Sequence, residues 1–255
     1  MILAAGRGSR LGAASADIPK WLLDVAGRPI ADRQLEAVAL ANDRLPGTVD
    51  TVRVVTGHEA EAIEGFLAGR PDALVTTLNN EEYARLNNWY SVLLALRAVP
   101  ADRASRLVIL NADLFAKPEW FASFIADCAT TDAESLIAVD LERALTDESM
   151  KVSVATSTDG GAPQLERIGK VDIDNPAGEY VGMLMARGGV LRQFRECLET
   201  FTGDPAEADA WYEKAVALTA GGGAAWHVWP TPDSGWIEID DDRDHAAAQS
   251  LARES

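Results

Sequence analysis

The chain is short of cysteine, of histidine, of positive charge and of long apolar runs. Cys128 and Cys197 are its two cysteines, far apart and without metal-ligand spacing. That argues against a disulfide framework or a thiolate metal centre, and a reduced cytoplasmic setting is the expectation. Three scattered histidines, His58, His227 and His245, read as structural or exposed, so no Ser-His-Asp chemistry is expected. Against 40 acidic residues stand 23 basic ones, a formal charge of −17. Such a surface repels nucleic-acid phosphates and anionic membranes, and neither is expected as a partner. The apolar opening is too short for a signal peptide, and no stretch has the length of a membrane span. No internal repeat or long low-complexity linker is visible.

What is present suits a sizeable core: 255 residues, 47% of them hydrophobic. Short β-branched runs at 1–5, 51–57, 73–79, 106–115 and 135–141 read as strands. Between them, 30–42, 58–69, 87–99 and 118–129 have helical periodicity. The alternation predicts an α/β fold of three layers, α/β/α, with a mixed, mainly parallel sheet. After residue 150 the character changes. A hairpin is expected over 151–173 around Asp159-Gly160-Gly161, then a strand at 179–186, helices near 188–201 and 207–220, strands at 224–230 and 234–240, and a closing helix at 242–253. A composition shift near 142–150 suggests one domain over 1–255 with two halves, 1–141 and 142–255, sharing one continuous sheet.

The first loop carries the chemistry. In LAAGRGSRLG, Gly6 and Gly8 let the backbone bend and bring its N–H groups close to a ligand. Arg7 and Arg10 add bidentate donors for phosphate, and Lys20, after Pro19, adds a compact charge. In so acidic a protein, that local positive charge is informative. Leu11 stands where a dinucleotide fingerprint needs glycine, and no P-loop lysine follows Gly8 or Gly12. Farther on, NADLF places Asp113 at a strand end, and WIEID places Glu238 and Asp240 on one strand face. Carboxylates from separate strand ends suit Mg²⁺, which takes oxygen ligands and accompanies nucleotide phosphates. Asp242 and Asp244 read as solvated acids or helix caps.

LAAGRGSRLG…PKWLLDVAGRPI closely resembles the N-terminal signature of the nucleotidyltransferases that make nucleoside-diphosphate sugars and related activated alcohols. The resemblance implies a nucleoside triphosphate on this loop, attack by the acceptor's phosphate on the α-phosphorus, and pyrophosphate as leaving group. Asp113 and Asp240 match that family's two metal-binding aspartates, with Glu238 beside them, but Asn111 stands where its first motif has a leading aspartate. Arg10 and Lys20 would stabilise charge on pyrophosphate. The implied nucleotide set is Leu3, Ala4, Ala5, Gly6, Arg7, Gly8, Asn80, Asn88, Ser91 and Ala112.

NNEEYARLNNWYSVLLAL (79–96) is similar to a segment of the phosphocholine and phosphonate cytidylyltransferases. The similarity continues through DESMKVSV, GEYVGMLM, WYEKAV and WIEID. It implies CTP as donor, Lys151 as holder of the acceptor's phosphate or phosphonate, and Glu179, Trp211 and Tyr212 around the acceptor. A quaternary ammonium asks for an aromatic cage. The choline-type enzyme has an aromatic residue just after the glutamate near 148, where this chain has Ser149, Met150 and Lys151. The acceptor therefore stays open among phosphocholine, amino- or hydroxyethylphosphonate and inositol phosphate. A sugar-1-phosphate nucleotidyltransferase using UTP, GTP or dTTP is an alternative, as is an inactive nucleotide-binding regulator. A homodimer is one possible state.

Overall fold

The computed structural model describes residues 1–8, 12, 18–70, 72–99, 106–155 and 162–253. In chain order the strands and helices are β1 (Ile2–Ala4), β2 (Asp24–Val25), β3 (Arg28–Pro29), α1 (Ile30–Arg44), β4 (Val52–Thr56), α2 (Ala60–Ala68), β5 (Val75–Asn79), α3 (Asn88–Arg97), β6 (Arg106–Asn111), β7 (Leu114–Ala116) and α4 (Pro118–Thr130). There follow β8 (Ser135–Asp140), β9 (Lys151–Ala155), β10 (Gln164–Gly169), β11 (Gly178–Arg187), α5 (Gly188–Thr200), α6 (Tyr212–Gly221), β12 (His227–Pro230), β13 (Trp236–Glu238) and α7 (Asp242–Arg253). The fold is α/β and Rossmann-like, with a mixed sheet. The chain forms two compact units. One comprises Met1–Ala84, Leu110–Thr130 and Gly235–Ser255, the other Arg85–Ile109 and Thr131–Ser234.

In the first unit β1 runs parallel to β4, and β4 parallel to β5, with Ala4 opposite Thr56 and Val55 opposite Leu78. On its other side β1 pairs with the end of β6, Ile2 with Leu110 and Leu3 with Asn111. Parallel neighbours need crossovers, which α1 and α2 supply. Helix α1 buries Ile30, Ala31, Gln34, Ala37, Val38 and Ala41, a stripe at three- and four-residue spacing. Gly69 ends α2, as its sequence suggests.

Two expectations change here. The apolar stretch 106–115 is two strands, because Ala112 and Asp113 form a turn and β7 leaves to pair antiparallel with β13, Leu114 opposite Glu238. The polar Asn111 and Asp113 mark the break, but the return of Leu114 and Phe115 to a strand makes the stretch read as one. The β2–β3 hairpin was not foreseen. Its two turn residues, Ala26 and Gly27, both have positive φ, 53° and 81°, as a two-residue turn matched to strand twist requires. Buried Arg33 braces it through the carbonyls of Val25 and Arg28.

In the second unit β11 lies antiparallel to β8, β12 parallel to β8, and β9 and β10 form an antiparallel pair. The expected turn at Asp159-Gly160-Gly161 lies outside the described residues. Edge-to-face contacts of Trp89 with Phe201 and of Phe194 with Trp226 fill its helical layer. The helix expected from 207 starts at Tyr212. Before it, Asp204 caps a short 3-10 turn with Pro205 at its start.

Gly178 shows how closely β11 meets β8. A Cβ there would lie 2.2 Å from the Asp140 carbonyl oxygen and 3.0 Å from Val139 Cγ1. Overpacking of a backbone contact costs roughly 1–3 kcal/mol, so Gly178→Ala is expected to lower the unfolding free energy measured by urea denaturation by that amount. Gly65, inside α2 with nothing near its would-be Cβ, is the contrast: Gly65→Ala should raise stability by about 0.5–1 kcal/mol. Equal effects at the two positions would refute the packing argument.

Candidate active site

In the first unit the chain leaves β1 at Ala4 and runs through Ala5–Gly8 over the carboxyl end of the strands, where open α/β sheets receive ligands. A pocket of about 100 Å³ opens there. Leu3, Ala4, Gly6, Gly8, Lys20, Ala112 and Asp113 line it, all of them sequence candidates, together with Trp21. Gly8 adopts φ +60°, a conformation suited to glycine. Buried Ala5 anchors the loop, its carbonyl accepting from the His58 N–H at 3.1 Å. Gly57 packs beneath it, where a Cβ would come within 2.9 Å of the Ala5 Cβ and carbonyl oxygen. Arg7 is exposed, its guanidinium 5.5 Å from the centroid of the Tyr83 ring. Arg10 lies outside the described residues. Asn80 is fully buried, and its side-chain oxygen accepts from the Glu82 N–H at 2.9 Å. That bond fixes the turn after β5.

One wall of the pocket is charged. Lys20 Nζ lies 2.6 Å from Asp240 Oδ1 and 3.0 Å from Asp113 Oδ2. These side chains are only 15–24% exposed, so solvent screens the contacts weakly. Burial alone would lower the Lys20 ammonium, but Asp113 and Asp240 outweigh it and hold the group above its ordinary value. Lys20 is therefore a fixed positive charge at any physiological pH. Glu238 completes the acidic group: one carboxylate oxygen from each of Asp113, Glu238 and Asp240 lies within 4.8 Å of the other two. Three carboxylates and no nitrogen or sulfur donor fit a hard divalent cation such as Mg²⁺. These three residues could hold it.

The carboxylates arrive differently from the sequence expectation. Asp113 occupies the turn between β6 and β7, not a strand end. Its carbonyl accepts from the Ile239 N–H at 2.9 Å, which ties the two acidic segments together. β13 ends at Glu238, so Asp240 lies two residues beyond the strand and does not share its pleat. What fixes Asp240 is the start of α7. Asp241 Oδ1 accepts from the N–H groups of Arg243 and Asp244, and Asp244 Oδ2 accepts from those of Asp240 and Asp241. This is a reciprocal cap built from two aspartates. Asp242 instead accepts from the Gly12 N–H at 3.0 Å, pinning the glycine loop to α7.

Sequence reading missed Trp21 and Gln34. Trp21 is fully buried, and its indole N–H donates to Gln34 Oε1 at 3.0 Å. Gln34 Nε2 donates in turn to the carbonyls of Asn111 at 2.9 Å and Leu114 at 3.1 Å. The signal for Gln34 was available: an amide on the apolar stripe of α1, which burial obliges to find partners.

The acceptor candidates belong to the second unit. Lys151 begins β9 opposite Glu179 of β11, and its ammonium donates to the Lys170 carbonyl at 3.0 Å. Burial pushes the Glu179 carboxyl above its ordinary value, with Asp140 adding to the rise; a hydrogen bond from Ser149 and the charges of Arg143 and Lys151 oppose it. Trp211 is exposed, with Lys170 Nζ 4.8 Å from its ring centroid and Glu148 paired to that same ammonium at 3.1 Å. Tyr212 sits in the core, its hydroxyl 2.8 Å from that of Tyr180. Asn88 Oδ1 accepts from the Tyr212 N–H at 2.9 Å, and Ser91 is buried. Asn88 thus joins the start of α3 to the start of α6. Among the described residues no helix is long and apolar enough to cross a membrane.

The chain is 29% identical over 262 residues to a CMP-5'-(3-aminopropyl)phosphonate synthase of Streptomyces rubellomurinus, an alignment covering 97% of this chain and 38% of that protein. It spans well under half the length of that relative. It is 34% identical over 121 residues to the choline-phosphate cytidylyltransferase of Haemophilus influenzae, 45% of this chain and 46% of that protein. Among solved structures, the CTP:phosphocholine cytidylyltransferase of Streptococcus pneumoniae superposes with a TM-score of 0.72 at 16% identity, over 98% of this chain and 97% of that one. At that identity the match shows the fold. Residues 1–216 match the family described as the MobA-like NTP transferase domain, and the chain belongs to that family of nucleotidyltransferases.

Proposed function

We propose that this nucleotidyltransferase is a Mg²⁺-dependent cytidylyltransferase, moving CMP from CTP to a small alcohol bearing a phosphate or phosphonate and releasing pyrophosphate. One observation carries the reading: Lys20 is shared between Asp113 and Asp240 in the wall of a pocket floored by Gly6 and Gly8. A cation and three carboxylates beside a glycine loop suit the neutralisation of a triphosphate. The CMP-5'-(3-aminopropyl)phosphonate synthase that aligns along 97% of the chain supports a cytidine donor.

In the reaction an oxygen of the acceptor's phosphate or phosphonate bonds to the α-phosphorus. The bond from that phosphorus to the bridging oxygen breaks, and its electron pair leaves on pyrophosphate. Such transfer needs in-line placement and charge neutralisation more than a protein nucleophile. Leu3–Gly8 and Ala112 hold the nucleotide, with Arg7, Arg10 and Lys20 on its phosphates. Asp113, Glu238 and Asp240 hold Mg²⁺, which when bound lowers the repulsion between the attacking and attacked phosphates. Lys151 receives the acceptor's anionic group, with Glu179 and Trp211 beside it. We assign Asn88, Ser91 and Tyr212 to the framework, since the first and last bond each other and all three are at least half-buried. Residues 1–141 serve mainly the nucleotide and 142–255 mainly the acceptor. Small charged substrates suit a cytoplasmic enzyme.

The test is pyrophosphate release with each of four NTPs against aminoalkylphosphonates, phosphocholine, inositol 1-phosphate and glucose 1-phosphate. CTP with a phosphonate or phosphoalcohol is expected to exceed UTP with a sugar phosphate by at least about 10²-fold in kcat/KM. A preference for UTP and glucose 1-phosphate would overturn the reading, as would nucleotide binding without turnover for any acceptor.

A further inference from the structure

The site has a buried side as well as an open one, and a single amide occupies it. Gln34 is fully buried on α1. An indole N–H can only donate and a peptide carbonyl can only accept, so its partners dictate the orientation of the amide. Its oxygen takes the Trp21 indole, and its two N–H bonds go to the carbonyls of Asn111 and Leu114. Trp21 is the residue after Lys20. Asn111 and Leu114 flank the Ala112–Asp113 turn. One side chain therefore grips the backbone on both sides of Asp113 and the neighbour of Lys20, while Lys20 and Asp113 themselves meet at 3.0 Å on the pocket wall.

We propose that Gln34 is a positioning residue for nucleotidyl transfer: it sets the separation of the Lys20 ammonium from the Asp113 carboxylate by holding the backbone on both sides of Asp113 and the indole of Trp21, the neighbour of Lys20. Gln34 touches neither side chain and, being fully buried, reaches no ligand directly. Its influence passes through the turn and through Trp21. Groups that orient a metal-binding or phosphate-binding residue from behind commonly alter affinity or rate by 10–100-fold when lost. The proposal rests on the function proposed above, but part of its test does not.

Gln34→Met keeps the volume and removes all three bonds; Gln34→Asn keeps the amide but is one methylene too short to reach every partner. The comparison variant is Asn42→Ala, in the same helix, whose amide exchanges two hydrogen bonds with Val49 at 2.9 and 3.0 Å, away from the site. Mn²⁺ titration of nucleotide-free protein by electron paramagnetic resonance reads the placement of Asp113 whether or not CTP is the substrate. Steady-state kinetics with CTP and the best acceptor read transfer. Either Gln34 variant is expected to weaken Mn²⁺ binding about tenfold and to lower kcat about tenfold or more, with KM for CTP changing less than about threefold. Asn42→Ala should lower the melting temperature and leave both readouts within about twofold. If a folded Gln34 variant keeps Mn²⁺ affinity and kcat within twofold, or if Asn42→Ala lowers them equally, Gln34 is a stability residue and the proposal fails. Should Gln34→Met not fold, Gln34→Asn decides alone. If wild-type protein turns over no nucleotide, the functional reading falls while the Mn²⁺ result still decides on the clamp.

Discussion

Asp113→Asn is expected to lower kcat for nucleotidyl transfer by about 10²–10³-fold, the usual scale for one preorganised electrostatic group, while KM for the nucleotide changes less than about fivefold. The substitution is nearly isosteric. It leaves the turn between β6 and β7 intact, because the turn is held by the main chain of Asp113 and its neighbours: the Asp113 carbonyl accepts from Ile239, and the Asn111 and Leu114 carbonyls accept from Gln34. What is lost is one negative charge on Lys20 and one of three carboxylates suited to Mg²⁺. Asn111 already stands two residues earlier, so no second acid in that motif can take over. Lys20→Ala removes the other half of the contact and should cost about 10²-fold in kcat. The double variant should fall little below the worse single one, since groups acting as a unit are not additive. Pre-steady-state and steady-state assays at saturating nucleotide give the numbers, with circular dichroism to confirm folding. Wild-type rates in either single variant would take that residue out of the mechanism.

The scaffold was largely legible because its cues are local. Apolar β-branched runs gave β1, β4, β5 and β8, and helical stripes gave α1, α2, α4 and α7, each within a few residues. Local cues failed where pairing decides the outcome. In RLVILNADLF the polar Asn111 and Asp113 mark a tip, but nothing says that a separate strand begins at Leu114. That depends on β13, more than a hundred residues away, pairing with β7. The same long-range return brings Glu238 and Asp240 to Asp113, and no periodicity in either segment shows it. The β2–β3 hairpin was missed because Ala26 carries a positive φ that its residue type does not advertise. Lys20, Asp113 and Asp240 were singled out from the first loop, from the acids of two later segments and from motif resemblance, but their direct contact was not foreseen. Gln34 lay on the apolar stripe of α1, but it and Trp21 escaped because the partners that give them a role, each other and the carbonyls of Asn111 and Leu114, come from separate parts of the chain. Tyr212 was assigned to the acceptor by its motif, yet its ring lies in the core. An aromatic beside a helix start looks the same in sequence whether it faces a ligand or the interior.

The strongest separation between binding and stability is expected at Gly6. Three glycines of the first loop are required for different reasons. Gly12 is structural: a Cβ there would lie 2.4 Å from Asp242 Oδ2, against the carboxylate that its own N–H holds. Gly8 is conformational, with φ +60°, where a side chain costs about 1 kcal/mol. Gly6 meets neither condition. Its φ is ordinary, and a Cβ built on it has nothing within 4 Å. The fold leaves room for a Cβ there, and the space it would enter is the pocket that Gly6 lines. Gly6→Val should therefore leave the melting temperature within about 2 °C, the shift expected from a few tenths of a kcal/mol. Its dissociation constant for CTP should rise by at least about 10²-fold, because a branched side chain would occupy the volume of the ligand and hold it off the loop's N–H groups. Gly12→Ala should show the reverse order, losing stability first. Isothermal titration with CTP and a thermal melt on the same samples separate the two. A Gly6→Val protein that binds CTP as the wild type does would place the nucleotide away from this loop, and with it the assignment of Lys20 and Asp113 to phosphate and metal.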